Sequence, residues 1–245
     1  MIYQEYRPKE QLTSFIETYW ACEGFVAGQE LFRILPDGCV DIIFIFDKTK
    51  GTFYANITGT MTTFLEISYP QSVQMFGIRF KPAGITAFTR VPVDEFTNRN
   101  VELELVDTLF DKSFYEKIPE KQSIEEIIML ADNFLINLIP YHSNKQIIHA
   151  VDLIYFAKGQ LPLADLASDV CLCQRHFERN FKSTVGISPK LFAKIFRFKH
   201  ALRCLKNYPH KDLLTIAIEC GYYDHSHLIK DFKTLSGNTP TNLRK

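Results

Sequence analysis

The side chains best suited to chemistry in this chain lie in its last third, in two short clusters. The first holds Gln174, Arg175, His176, Glu178, Arg179, Asn180 and Lys182. The second holds His225, Ser226, His227, Ile229, Lys230 and Lys233. Arg175 and Arg179 are four residues apart, so on a helix they stand one turn apart on one face. A guanidinium held there can donate two parallel bonds to guanine O6 and N7. Lys182 and Lys233, each following a Phe, suit phosphate contacts, which position without reading sequence. This is recognition chemistry rather than bond-making chemistry.

Catalytic alternatives are poorly provided for. No His precedes His142, which removes His-based general bases, Ser-His or Cys-His pairs and His-ligated metals from the whole first half. Asp37, Asp41 and Glu66 have nothing in the sequence that sets two carboxylates face to face. Neither a P-loop nor a G-x-G-x-x-G is present. No enzyme and no cofactor is therefore expected. Cys171 and Cys173 form a C-x-C with only His176 near them, which points to structural residues and to no metal site.

The elements that must position the two clusters form a pattern written twice. Leu163, Leu166, Ala167 and Val170 are apolar at i, i+3, i+4 and i+7, and Leu213, Ile216, Ala217 and Cys220 repeat the spacing 50 positions on. Phe177, Phe181, Lys182, Gly186 and Ser188-Pro189 recur 51 positions on as Leu228, Phe232, Lys233, Gly237 and Thr239-Pro240. The extra residue falls in the turn 221–224, where a chain accepts an insertion that a helix would not. Each copy thus reads as helix, short turn, helix and Gly-containing stop. That is the helix-turn-helix layout, whose second helix can enter the DNA major groove. Phe177 and Phe181 can seat the first such helix, as Leu228 and Phe232 can seat the second. Tandem αα-hairpins that bind protein, as in a scaffold or interaction protein, are the alternative.

On Leu166-Ala167, Phe181-Lys182, 186–189, Arg197, Ala201, Ile216-Ala217, Gly221-Tyr222, Asp224, Ser226, Phe232-Lys233, Gly237 and Thr239-Pro240, the region resembles the DNA-binding domain of the AraC/XylS family of bacterial transcription regulators. By that resemblance Arg175, Glu178, Arg179, His225, Ser226, Ile229 and Lys230 face bases, Ile229 against a thymine methyl. Gln174, Lys182 and Lys233 contact phosphate. Arg197 matches a position that packs structurally. His176 and His227 correspond in the repeat and are either packing or phosphate-contacting residues. One departure is Cys173, where the family opens its first recognition helix on a capping residue such as Ser. Cys caps poorly.

The formal net charge of zero hides an asymmetry. Residues 146–245 carry 15 Lys and Arg against 8 Asp and Glu, and residues 1–145 carry 13 against 20. A basic half suits phosphate, and an acidic half in the same chain suggests a separate task. The 245 residues suffice for two domains, expected at 1–140 and 146–245 with 141–145 as linker. Met1 is not followed by a basic start and an apolar stretch, no run of about 18 apolar residues occurs, and the six cysteines read as reduced thiols. A cytoplasmic location with no membrane partner is expected.

The first half reads as β-rich. Leu12, Phe15, Ile16 and Tyr19 fit a short amphipathic helix, but strand signals follow at 31–35, 40–46, 53–60 and 73–80, with a turn at Pro36-Asp37-Gly38. The run 40–46 suits a strand buried on both faces. Residues 85–88 fit one helical turn. Leu103, Val106, Phe110 and Phe114 mark a helix. Ser123 to Glu126 is a capping box opening another, which carries Ile127, Ile128, Ala131, Phe134, Leu135 and Leu138 up to Ile139. That wide stripe either pairs two subunits or packs on the protein's own β-rich domain.

Stretches 35–44 and 76–82 resemble the N-terminal domain of some AraC-type regulators, which implies a cupin-like sensor domain with trailing helices and an overall α+β class. The partners so implied are double-stranded DNA, a small-molecule effector, a second subunit, and RNA polymerase for an activator. Arg79, the one charge in its strand, is either a pocket anchor for an anionic ligand or an edge-strand residue facing solvent. In the last third, residues 146–158 fit a helix stopped by Gly159. Ser188-Pro189 opens another with Leu191, Ile195, Phe198, Leu202 and Leu205 on one side, a spacer about 27 Å long.

Overall fold

A computed structural model describes residues 2–25, 31–69, 71–106, 112–121, 123–138 and 144–244. Phe110, Ile139, Pro140 and 141–143 of the expected linker lie outside the described residues. The chain divides into two compact units. One takes residues 1–32, 39–60 and 67–143; the other takes 33–38, 61–66 and 144–245. The class is α+β, a β-rich first half with helices behind it and an all-helical last third.

Strands are β1 (Ile2–Tyr6), β2 (Ile16–Phe25), β3 (Phe32–Ile34), β4 (Val40–Asp47), β5 (Thr52–Thr58), β6 (Leu65–Ile67), β7 (Ser72–Phe80) and β8 (Asn100–Glu102). Six form a sheet in the order β1-β2-β7-β4-β5-β8, with antiparallel neighbours, and β3 pairs with β6 apart from it. β4 lies between β7 and β5, and both its faces are covered. Ile42 and Phe44 join the main core, while Ile43 and Ile45 pack on the opposite face beside Trp20, Cys22, Val73 and Met75. Residues 84–87 form a 3-10 turn where one helical turn was expected.

One expected helix gives way to sheet, and another begins later than expected. Leu12 ends a 3-10 turn, and Ile16 to Tyr19 belong to β2. Ile16 and Tyr19 are three apart yet share the main core, because the register shifts between Ile16 and Thr18. A strand with an irregularity mimics helical spacing there. Val101 and Glu102 pair with Ile57 and Asn56 in β8, and Leu103 to Leu105 form a 3-10 turn. Among the described residues, helix resumes only at α1 (Lys112–Lys117), which carries Phe114. Ladder bonds to an otherwise unpaired β5 edge hold Asn100 to Glu102 extended.

α2 (Ile124–Leu138) opens at Ser123, whose Oγ accepts from the Glu126 N–H at 3.3 Å. Its stripe packs on the protein's own core. Ile127, Ala131 and Leu135 are buried in it, Ile128 and Phe134 are partly buried against it, and Leu138 is exposed. Asp132, on the same buried side, accepts from the Tyr19 hydroxyl at 2.8 Å.

Arg79 stands on β7, a central strand, so the edge-strand reading is corrected. Its Nε donates to Asp41 Oδ1 at 3.1 Å, and the same oxygen accepts from Trp20 Nε1 at 2.8 Å. Trp20 lies so close over Gly77 that a Cβ there would come within 2.0 Å of the indole.

The last third holds α3 (Lys145–Phe156), α4 (Leu163–Asp169), α5 (Gln174–Val185), α6 (Pro189–Asn207), α7 (Leu213–Glu219), α8 (His225–Ser236) and α9 (Pro240–Leu243). α3 starts on Asn144, whose side chain accepts from the Ile147 N–H, and Gly159 follows with φ of 74°. α6 opens on Ser188 with Pro189 at its first turn. It buries Phe192, Ala193 and Ala201 as well as Ile195, Phe198 and Leu205, while Leu191 and Leu202 are half-buried. A one-sided stripe was too narrow an expectation, because α6 packs against α3, α5, α7, α8 and α9 together. No helix among the described residues is long and apolar enough to cross a membrane.

Candidate nucleic-acid interface

The two helix pairs repeat in detail. α4 and α7 are seven residues each, 50 apart; α5 and α8 are twelve each, 51 apart. Both first helices end alike. Cys171 and Leu172 donate to the carbonyls of Ser168 and Ala167, and Gly221 and Tyr222 donate to those of Ile218 and Ala217. That closure needs a left-handed residue. The second copy uses Gly221 at φ 76°; the first forces Cys171 to φ 55°. From that residue the second copy takes one step more to reach its helix, through Tyr222 and Tyr223 to Asp224.

The starts of the two second helices differ. Asp224 Oδ1 accepts from the His227 N–H at 2.7 Å. Cys173 caps α5 without any side-chain bond, as its residue type implies. Both helices stop on a left-handed glycine, Gly186 and Gly237.

The candidate contact residues occupy equivalent positions. Gln174, Arg175, Glu178, Arg179 and Lys182 on α5 match His225, Ser226, Ile229, Lys230 and Lys233 on α8. All are exposed except Ile229, which is half-buried. Phe177 and Phe181, Leu228 and Phe232 are fully buried beneath them. Each helix therefore presents a polar face set by residues at i, i+1, i+4, i+5 and i+8. Gln174 Nε2 donates to Glu178 Oε1 at 2.9 Å, which ties one proposed phosphate contact to one proposed base contact. His176 is exposed. His227 is exposed as well, and one edge of its ring packs on Tyr222, with ring centroids 5.2 Å apart.

Four side chains support α8 and the turn before it. Lys194 Nζ on α6 meets buried Asp231 Oδ1 at 2.9 Å. Arg197 Nη1 donates to the Gly221 carbonyl at 3.1 Å and its guanidinium lies 5.4 Å from the Tyr222 ring, so Arg197 is structural. At the far end, Arg33 Nη1 donates to the Ser236 carbonyl at 3.0 Å and Thr63 Oγ1 to the Thr234 carbonyl at 2.6 Å. A cation there also suits the negative end of the helix. Sequence reasoning missed Asp231 and Arg33. Asp231 was detectable as a charge three residues after Leu228 on the apolar stripe. Arg33 carried no local signal, because its partners Ser236 and Glu66 are 203 and 33 residues away.

Residues 166–245 match a helix-turn-helix domain family, and residues 4–102 match a domain of unknown function, DUF6597. No curated protein matches the chain. Among solved structures, ToxT from Vibrio cholerae is similar at 9% identity over 92% of this chain and 97% of that one, with a TM-score of 0.48. An AraC-type DNA-binding-domain regulator from Chromobacterium violaceum is similar at 25% identity over 41% of this chain and 89% of that one, with a TM-score of 0.38. The DNA-binding domain of AdpA, solved with a target DNA, is similar at 23% identity over 40% and 89%, with a TM-score of 0.38.

Proposed function

We propose that the protein is a sequence-specific DNA-binding transcription regulator of the AraC type that works in the cytoplasm, a reading supported by the helix-turn-helix domain family that residues 166–245 match. The observation that carries the reading is the pair of equivalent exposed polar faces on α5 and α8, each seated on buried apolar residues. Arg175, Glu178 and Arg179 read bases from the first helix; His225, Ser226, Ile229 and Lys230 read them from the second. Gln174, Lys182 and Lys233 hold phosphates. α6, about 27 Å long, keeps the two readers at a fixed spacing.

The first half, 1–140, is proposed to sense a small molecule and to set the assembly state, with 146–245 as the DNA-binding part. Arg79 is the proposed anchor for an anionic effector, whose acid group would compete with Asp41 for the guanidinium. A second subunit would double the DNA contact and raise affinity through effective concentration.

Salt dependence tests the proposal. Residues 146–245 carry an excess of seven positive charges. If roughly six phosphates are neutralised, affinity falls about a thousandfold between 50 and 200 mM salt. A flat salt response would remove the DNA reading.

A further inference from the structure

We propose that His200, Cys204 and Cys220 form a binding site for one thiophilic metal ion, of the Zn2+ or Cu+ kind, inside the DNA-binding half. Their donor atoms all lie within 4.8 Å of one another, and among the described residues no other His, Cys, Asp or Glu group meets that spacing. Cys204 Sγ is 3.8 Å from His200 Nε2. Metal–sulfur bonds of about 2.3 Å and metal–nitrogen bonds of about 2.0 Å place such donors roughly 3.5–4 Å apart around a shared ion. The cradle thus needs a contraction of under about 1 Å.

The backbone supplies the donors economically. His200 and Cys204 are four apart on α6, so both project from one face of a rigid helix. Cys220 is fully buried and ends α7, directly before the left-handed Gly221. Two thiolates and an imidazole are a soft donor set that selects Zn2+ or Cu+ over Mg2+ or Ca2+. His200 and Cys204 are half-buried, which leaves an entry path and a side from which solvent can complete a tetrahedral Zn2+. Lys158 and Arg203 lie near His200, and their charge opposes that of the two thiolates. An ion held here fastens α6 to the end of α7, where the chain turns toward α8. The sequence concealed the site because the nearest motif, Cys171-x-Cys173, is a different pair, and Cys220 lies 16 residues beyond Cys204.

The test uses the full-length protein, reduced and stripped with chelator. Titration with Co2+, a spectroscopic stand-in for Zn2+, should give thiolate-to-cobalt charge-transfer absorption saturating at one equivalent, bleached by Zn2+. Zn2+ should also raise Tm. His200→Ala and Cys204→Ser, both at half-buried positions and checked for folding by circular dichroism, should each lose the band and the Tm rise. A Cys171→Ser, Cys173→Ser double variant should keep both. Stoichiometric uptake of Cu+ but not of Co2+, lost in the same two variants, would assign the Cu+ form. Absence of uptake of either ion would overturn the proposal. So would a band that survives His200→Ala and Cys204→Ser, or one that vanishes in the Cys171/Cys173 variant.

Discussion

Asp231 of α8 is buried, and its Oδ1 lies 2.9 Å from Lys194 Nζ on α6. The pair crosses from the long helix to the second recognition helix beneath its polar face. Its place in the repeat is informative. The equivalent residue in the first copy is Asn180, half-buried and uncharged. Both helices meet α6 through an aromatic pair, Phe181 with Phe192 at 5.4 Å and Phe232 with Phe198 at 4.7 Å between ring centroids, and the second helix adds the charge pair.

Removing Lys194 leaves a buried carboxylate without its cation. Lys194→Met should destabilise the protein by about 3 kcal/mol, measured by urea unfolding. Lys194→Met with Asp231→Leu should recover most of that loss, because a matched apolar pair removes the uncompensated charge.

The two recognition helices should answer differently to changes at their starts. Asp224→Ala should cost about 1 kcal/mol, since it removes the bond to the His227 N–H. Cys173→Ser should add about 0.5–1 kcal/mol, since Cys173 makes no cap bond. Cys171→Gly should add about 0.5 kcal/mol by relieving a left-handed residue, net of glycine's entropy. Denaturant midpoints for the three variants check all of this.

Arg33→Ala should weaken the far end of α8 by about 1 kcal/mol, because the guanidinium donates to the Ser236 carbonyl. Exchange protection of the amides near the end of α8 should fall, while α5 keeps its own. A uniform loss over both helices would show that Arg33 does not act at α8.

Burial raises the Cys220 thiol well above its ordinary value of 9. The metal-free folded protein thus holds this proton longer than the unfolded chain does, and its stability should fall as pH rises above about 9. Cys22, also raised by burial, contributes in the same sense. At pH 8, alkylation of the metal-free protein should label exposed Cys171 and Cys173 first and Cys22 and Cys220 last. Tm against pH, and mass mapping of labelled thiols, check the two halves.

What could be read from the sequence depended on how local the cause was. The second recognition helix was legible because Asp224, Leu228, Phe232 and Gly237 each act within one or two turns. The inserted residue in the turn was legible for the same reason, since left-handed closure at Cys171 and Gly221 is a local event. The helix expected from Leu12 to Tyr19 failed because a shift in β-pairing with β7, a long-range partner, set which residues face inward. The helix expected from Leu103 starts as a 3-10 turn right behind the β8 ladder and, among the described residues, is α-helix only from Lys112. Lys194 with Asp231, Arg33 with Ser236, and Cys204 with Cys220 were out of reach in the same way. Each is a tertiary pairing of residues that look ordinary in their own stretches.

The central claim is that α5 and α8 read base sequence and do not merely hold phosphate. The direct measurement is the affinity of Arg179→Ala and Lys182→Ala for a site selected from random DNA and for random DNA itself, at one fixed salt. Arg179→Ala should lose about 1–3 kcal/mol on the selected site and little on random DNA. Lys182→Ala should lose the same on both. Equal losses for Arg179→Ala on the two DNAs would contradict the account.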